Sequence, residues 1–359
     1  MTRILELLIA LVLVAVIFVV VGLVLPSHRH VSHTTETNRP QPVVFDLLNG
    51  FKRFKDWNAM HNLDPKAQFN ISGAENGKGA QVDYTSANPQ VGNGSWQIAE
   101  TQPTDKIVYT LTNDDYGSNK TMAFKLRRSG NQKLTVEITE IYDVDYGFNL
   151  FGRYAGLYVS RSAGDTMKTS LANLNTLLAT VPKFDYTQLT VVPKVVAVPA
   201  ENLLFAPTKA KRANEEVEAA MLTQEKWLHQ VIDKNGLEAS GPLRIVTTNY
   251  GADTYEFNVA IPVRKIGETA AAAPSQLSVK LEGPVQYVQT QPSRAITTVY
   301  NGHMAQLAAI RNAMKAWGVT HGEDVGDHPY EAYTKGIATS FTEGGDFTLF
   351  WPVKVPGSK

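Results

Sequence analysis

GPVQYVQTQPSRAITTVYNGHMAQLAAIRNAMKAWGV (283–319) and HPYEAYTKGIATSFTEGGDFTLFWPV (328–353) decide how the C-terminal half of the chain folds. Gln286 to Gln291 and Ala295 to Tyr300 are β-rich or alternate, as half-buried strands do. After Asn301-Gly302 the period changes. Leu307, Ile310, Met314 and Trp317 recur at helical spacing and form one apolar stripe. Gly318 stands where a helix C-cap wants a residue tolerant of positive φ. Three strands are expected after this helix, the first carrying Tyr330, Glu331 and Tyr333 and the last ending Phe350-Trp351-Pro352-Val353. A carboxylate between two tyrosines, on a strand facing a helix, suggests a pocket for an apolar or cationic small molecule.

Working back from this stretch, a similar order is expected from about Thr187: a strand over Leu189–Pro199, a helix over Lys209–Asn235 with Val217, Met221, Leu228 and Ile232 on one face, then strands over Leu243–Asn249 and Thr254–Val263. Gly236-Leu237 and Gly318-Val319 follow the two helices. Ile261-Pro262-Val263 and Trp351-Pro352-Val353 close the two halves. Landmarks recurring at a separation of roughly 80 to 90 residues imply an internal duplication, and Ala270 to Pro274 is the expected linker.

These residues resemble the gyrase-inhibitor-like effector-binding domain of multidrug-responsive and AraC-type regulators. Glu331-Ala332-Tyr333 matches that family's E-x-Y strand. Thr348 stands where the family carries a second Glu. The resemblance implies a duplicated β-α-β-β-β domain over 187–355 with a ligand cleft between its halves. Glu331, Tyr333, Tyr330 and Trp351 are its expected ligand contacts, and Tyr255 and Glu256 their counterparts in the first half.

Ahead of this region, six strands are expected: Ala67–Ser72, Ala80–Ser86, Ser95–Gln102, Ile107–Thr112, Met122–Arg128 and Lys133–Tyr142, parted by turn signals such as Asn93-Gly94 and Ser129-Gly130-Asn131. A further strand over His30–Asn38 precedes them and ends before Pro40 and Pro42. A helix with Val43, Val44, Leu47, Leu48 and Phe51 follows that strand. A long helix with Met167, Leu171, Leu174 and Leu178 on one face closes the region. This is an α+β order.

RPQPVVFDLLNGFKRFKDWNAM (39–60) and GFNLFGRYAGLY (147–158), with the final helix, resemble the START-type, polyketide-cyclase-like (Bet v 1-like) helix-grip superfamily. The resemblance implies a curved antiparallel sheet wrapped on the last helix over 28–182, with an apolar cavity between. Trp57, Trp96, Tyr109, Phe124, Phe148 and Tyr154 are the expected cavity liners.

Ile4 to Leu25 is apolar except for Glu6 and long enough to cross a bilayer. The reading is an uncleaved single-pass anchor over 1–27, with the bulk of the chain outside the cytoplasmic membrane. Lys plus Arg and Asp plus Glu both number 34, giving no net charge. That balance argues against a nucleic-acid partner. The absence of Cys removes disulfides, thiol nucleophiles and Cys-ligated zinc. His28, His30 and His33 lack a nearby carboxylate in the sequence, so no metal site is expected, and no cofactor motif is present. The leading function is binding or sensing of a hydrophobic or amphipathic small molecule without turnover. The alternatives are a cyclase or hydrolase acting on a lipid-like or polyketide substrate, and a scaffold for a protein partner.

Overall fold

The computed structural model describes residues 2–269 and 274–354. Ala270 to Ala273, most of the expected linker, lie outside the described residues. The chain divides into two units after Lys183.

The first unit opens with helix α1 (Thr2–Val24), whose side chains are largely exposed. At a rise of about 1.5 Å per residue its 23 residues span about 35 Å, slightly more than a hydrocarbon core. Strand β1 (His28–Thr37) ends before Pro40, and α2 (Gln41–Leu48) begins with a proline in its first turn, where no amide donor is needed. Two single-turn helices follow, α3 (Phe54–Trp57) and α4 (Met60–Leu63). Six strands succeed them: β2 (Gln68–Gly73), β3 (Ala80–Thr85), β4 (Asn93–Gln102), β5 (Lys106–Asn113), β6 (Ser118–Ser129) and β7 (Thr135–Asp145). Helices α5 (Leu150–Ala155) and α6 (Val159–Thr180) close the unit.

The seven strands form one antiparallel sheet in the order β1-β7-β6-β5-β4-β3-β2. Helix α6 packs on it through Met167, Leu171, Leu174 and Leu178, all buried. Each expected strand is present to within a few residues, because alternation and turn chemistry agree throughout this region.

The second unit contains β8 (Lys194–Val198), β9 (Asn202–Lys211), α7 (Asn214–Lys234), β10 (Leu237–Ala239), β11 (Arg244–Tyr250), β12 (Thr254–Lys265), β13 (Gln286–Gln289), β14 (Ser293–Asn301), α8 (Leu307–Thr320), β15 (Tyr330–Tyr333), α9 (Ile337–Ser340) and β16 (Asp346–Pro352). The sheet runs β13-β9-β12-β11-β15-β16-β14-β8, with β10 paired to β12. Read outward from the central β11–β15 pair, the two sides have matching order, but the outermost strands are exchanged. Strand β8 pairs with β14, and β13 pairs with β9.

Three expectations differ from this fold. Two strands, not the one of the implied β-α-β-β-β order, precede each helix; ahead of α7 the second is Asn202–Lys211, which pairs with β12 over ten residues and moves the start of the helix from Lys209 to Asn214. A short helix, α9, replaces the middle one of the three strands expected after α8. Gly318 lies inside α8, which continues to Thr320. A Cβ at Gly318 would sit 2.7 Å from Ile296 Cδ1, so the glycine permits close approach to β14 and is not a cap.

Candidate functional site

Between the first unit's sheet and α6 lies a cavity of about 500 Å³. Its walls include Tyr84, Trp96, Met122, Glu140 and Tyr142 from the sheet and Val159, Met167 and Ser170 from α6. A larger depression around Asp64, Lys66 and Asn88 is an open surface groove. The cavity beneath α6 is the more enclosed of the two and combines apolar walls with polar groups, as a ligand pocket does.

Glu140 distinguishes this cavity. On β7, Val136, Ile138, Glu140 and Val144 share the inward face, so strand alternation carries a carboxyl into the interior. Its exposure is 1%. Its Oε2 is buried with no hydrogen-bond partner. Burial pushes the carboxyl well above the usual range and favours the neutral acid, which can both donate and accept. Burial also raises Tyr84, Tyr142 and Tyr146, so their hydroxyls stay protonated. Deep in the cavity these groups favour hydrogen bonding over ionic contact; the Asp115 carboxylate lies at the rim.

The linkage has a definite sign. A group whose pKa is raised on folding stabilises the fold fully below its unfolded value, about 4.3 for Glu, and that contribution is lost as pH rises toward the folded value. Wild-type stability is therefore expected to fall with a slope of up to about 1.4 kcal/mol per pH unit above that point. Glu140→Gln removes this dependence and is more stable than wild type at neutral pH. Urea denaturation at pH 5 and pH 8 checks it; equal slopes for the two proteins would contradict it.

Of the aromatics expected to line the cavity, Trp96 does so. Trp57, Tyr109 and Phe124 pack around it in an edge-to-face cluster, each fully buried. The Tyr109 hydroxyl donates to the Leu48 carbonyl. Phe148 and Tyr154 are corrections: neither faces the cavity. Phe148 is exposed, and Tyr154 stacks on Phe18 of α1 with ring centroids 4.6 Å apart.

In the second unit, Glu331 is fully buried at the sheet centre, opposite Ile245. Arg311 of α8 meets it through two hydrogen bonds, Nε to Oε1 and Nη2 to Oε2, both 2.7 Å. Tyr333 and Tyr255 are buried beside the pair, and burial drives Tyr333 well up and Tyr255 up to about 12. The Tyr255 hydroxyl pairs with Thr247 Oγ1 at 2.9 Å. The other residues expected here lie elsewhere. Tyr330 stacks on Phe350, with Arg244 over its ring. Glu256 lies 3.6 Å from Lys209 in an exposed ion pair. The Trp351 indole donates to the Gly326 carbonyl. Glu331, expected to meet a cationic ligand, thus already holds an internal cation. Arg311 carried a signal: it falls inside the stripe of Leu307, Ile310 and Met314, where a charge needs a partner.

The histidines need one further correction. His28 and His30 do have carboxylates nearby, Asp145 and Asp143, across the β1–β7 register. The Asp145 hydrogen bond raises the His28 pKa. His33 faces the other side, against Gly164. Among the described residues no group of His, Cys, Asp and Glu side chains is placed to hold a metal.

No family model and no curated protein matches the chain. Among solved structures, the C-terminal domain of EcmrR is similar at TM-score 0.36 and 14% identity, covering 45% of this chain and 96% of that one. EcmrR in a complex with DNA is similar at TM-score 0.37 and 11% identity, over 59% of this chain and 86% of the other. Truncated norcoclaurine synthase from Thalictrum flavum is similar at TM-score 0.34 and 9% identity, over 43% and 94%. DNA binding is a property of EcmrR; for this chain the expectation of no nucleic-acid partner rests on its balanced charge.

Proposed function

We propose that the chain is a membrane-anchored small-molecule-binding protein. Its first unit takes up an amphipathic ligand, and α1 anchors it with the bulk of the chain outside the cytoplasmic membrane. The reading is carried by Glu140, a buried carboxyl whose Oε2 has no hydrogen-bond partner, at the wall of a cavity large enough for a small ligand. A ligand hydroxyl, carbonyl or amide satisfies the neutral acid; an anionic ligand head is disfavoured there. In the second unit Glu331 and Arg311 satisfy one another, so ligand recognition is assigned to the first unit and the buried pair to structure.

Native mass spectrometry of the full chain released from detergent tests this. A co-purified small molecule is expected in wild type and in Arg311→Met, and is lost or several-fold depleted in Glu140→Leu. Retention in Glu140→Leu would remove Glu140 from the site.

A second reading follows from the same residue. A carboxyl whose neutral form is favoured by burial is suited to general acid catalysis. An enzyme is favoured if a metabolite extract contains a compound consumed by wild type, and bound but not consumed by Glu140→Gln.

A further inference from the structure

The register of the first unit's sheet sorts its loops into two ends. Ser118 pairs with Asp145, Gly94 with Asn113 and Thr85 with Asn93. The β3–β4 turn, the β5–β6 turn and the β7–α5 connection therefore share one end. So does the exit from α1, because the Tyr146 amide donates to the Ser27 carbonyl at 2.7 Å. The cavity rim comes from this same end, through Val91, Asp115, Tyr116, Tyr146 and Ala155.

Helix α5 is fastened to the last turns of α1. Arg153 Nη1 donates to the carbonyls of Gly22, Leu23 and Leu25, acceptors left open at a helix C-terminus. The Tyr154 hydroxyl donates to Phe18 O at 2.8 Å. A Cβ at Gly22 would lie 3.1 Å from Leu150 Cδ2. Around this junction Phe148 is 87% exposed and Tyr158 70% exposed, with Phe151, Leu157 and Tyr116 exposed as well. Such a group beside a polar sheet end is unusual on a surface facing water. Aromatic rings and an arginine next to the end of a spanning helix are the composition of a bilayer interface.

We propose that α5 and the cavity rim form a membrane-docking surface, with Phe148, Phe151 and Tyr158 seated among lipid headgroups and upper acyl chains. The occupant is the bilayer because the patch adjoins α1: the Phe151 and Phe18 rings lie 5.4 Å apart, so whatever solvates Phe18 also meets Phe151. The mouth of the cavity then faces the leaflet, and the ligand enters from lipid. This rests on the reading of α1 as an anchor.

The chain has no native Cys, so single cysteines report position cleanly. Phe148→Cys, Tyr158→Cys and Tyr116→Cys, each spin-labelled in the full chain, are reconstituted in vesicles of phosphatidylcholine and phosphatidylglycerol. Val12→Cys reports the anchor. Leu134→Cys, exposed at the far end of β7 and roughly 35 Å away along its 11 residues, reports water. The three test labels are expected to collide several-fold less with an aqueous nickel chelate than the Leu134 label, and several-fold more with lipid-dissolved oxygen. A Val12 label in lipid with any test label as water-accessible as Leu134 overturns the docking surface while leaving the anchor intact. Test labels shielded from both quenchers mean a protein covers the patch, and also overturn it. A water-accessible Val12 label overturns the anchor and this inference together.

Discussion

Replacing Arg311 with methionine lowers the stability of the second unit by about 3–5 kcal/mol. The guanidinium is largely buried, and Glu331 is wholly so. Burial alone would pull the Arg311 pKa down, but the Glu331 charge and its hydrogen bonds outweigh that and hold the guanidinium above its ordinary value. Removing the cation leaves a carboxylate at the sheet centre with neither water nor partner, the costliest way to break such a pair. Arg311→Met with Glu331→Leu removes both charges and is expected to recover most of the loss, since a buried pair contributes little net stability over apolar residues of similar volume. Thermal melts, with hydrogen exchange of the β15 and β16 amides to localise the effect, check both. A single variant within about 1 kcal/mol of wild type, as a solvated surface pair would give, is incompatible with a sealed pair.

Trp57→Ala is the second large effect, a loss of about 3–5 kcal/mol in the first unit. Trp57 has no exposed surface. Its ring meets Phe54 at 5.2 Å, Phe124 at 5.6 Å and Trp96 at 6.4 Å, all edge-to-face. Truncation removes these contacts together and leaves a void that neighbouring rings, held by the sheet, do not fill. Trp57→Phe keeps one ring and is expected to lose less than half as much. The contrast with Arg311→Met lies in location: protection falls in β4 to β6 amides and is unchanged in β15. Loss of protection in both units would mean that the substitution acts through global unfolding and not through this cluster.

The first unit was more legible than the second, for physical reasons. Its strands β2 to β7 pair with their neighbours in sequence, so each of these hairpins carries its own turn signal, and α6 shows its buried face at plain helical spacing. Glu140 was legible too, but only by parity: it occupies the inward position in a strand of Val136, Ile138 and Val144. Aromatic residues do not mark the cavity wall, because large rings fill cores more often than they line cavities. In the second unit, Thr208 to Lys211 runs into Ala213 and Glu215 with helix-favouring residues. Nothing local marks where the strand stops; pairing with β12 decides it. Glu331 was found by its motif, but its partner lies twenty residues earlier on another element.

The exchanged outer strands of the second unit set a condition on how it is made. Strand β8 leaves the ribosome about a hundred residues before β14, the strand it must join. Until then its edge is unpaired, and the first half of the unit also lacks β13. A nascent chain stopped before Gln286 therefore holds β8 unpaired and leaves β9 and β11 each open on one side, so it cannot close on itself. Synthesis must finish before folding of this unit can, which makes it a slow, non-local folder and a client for chaperones while translation proceeds.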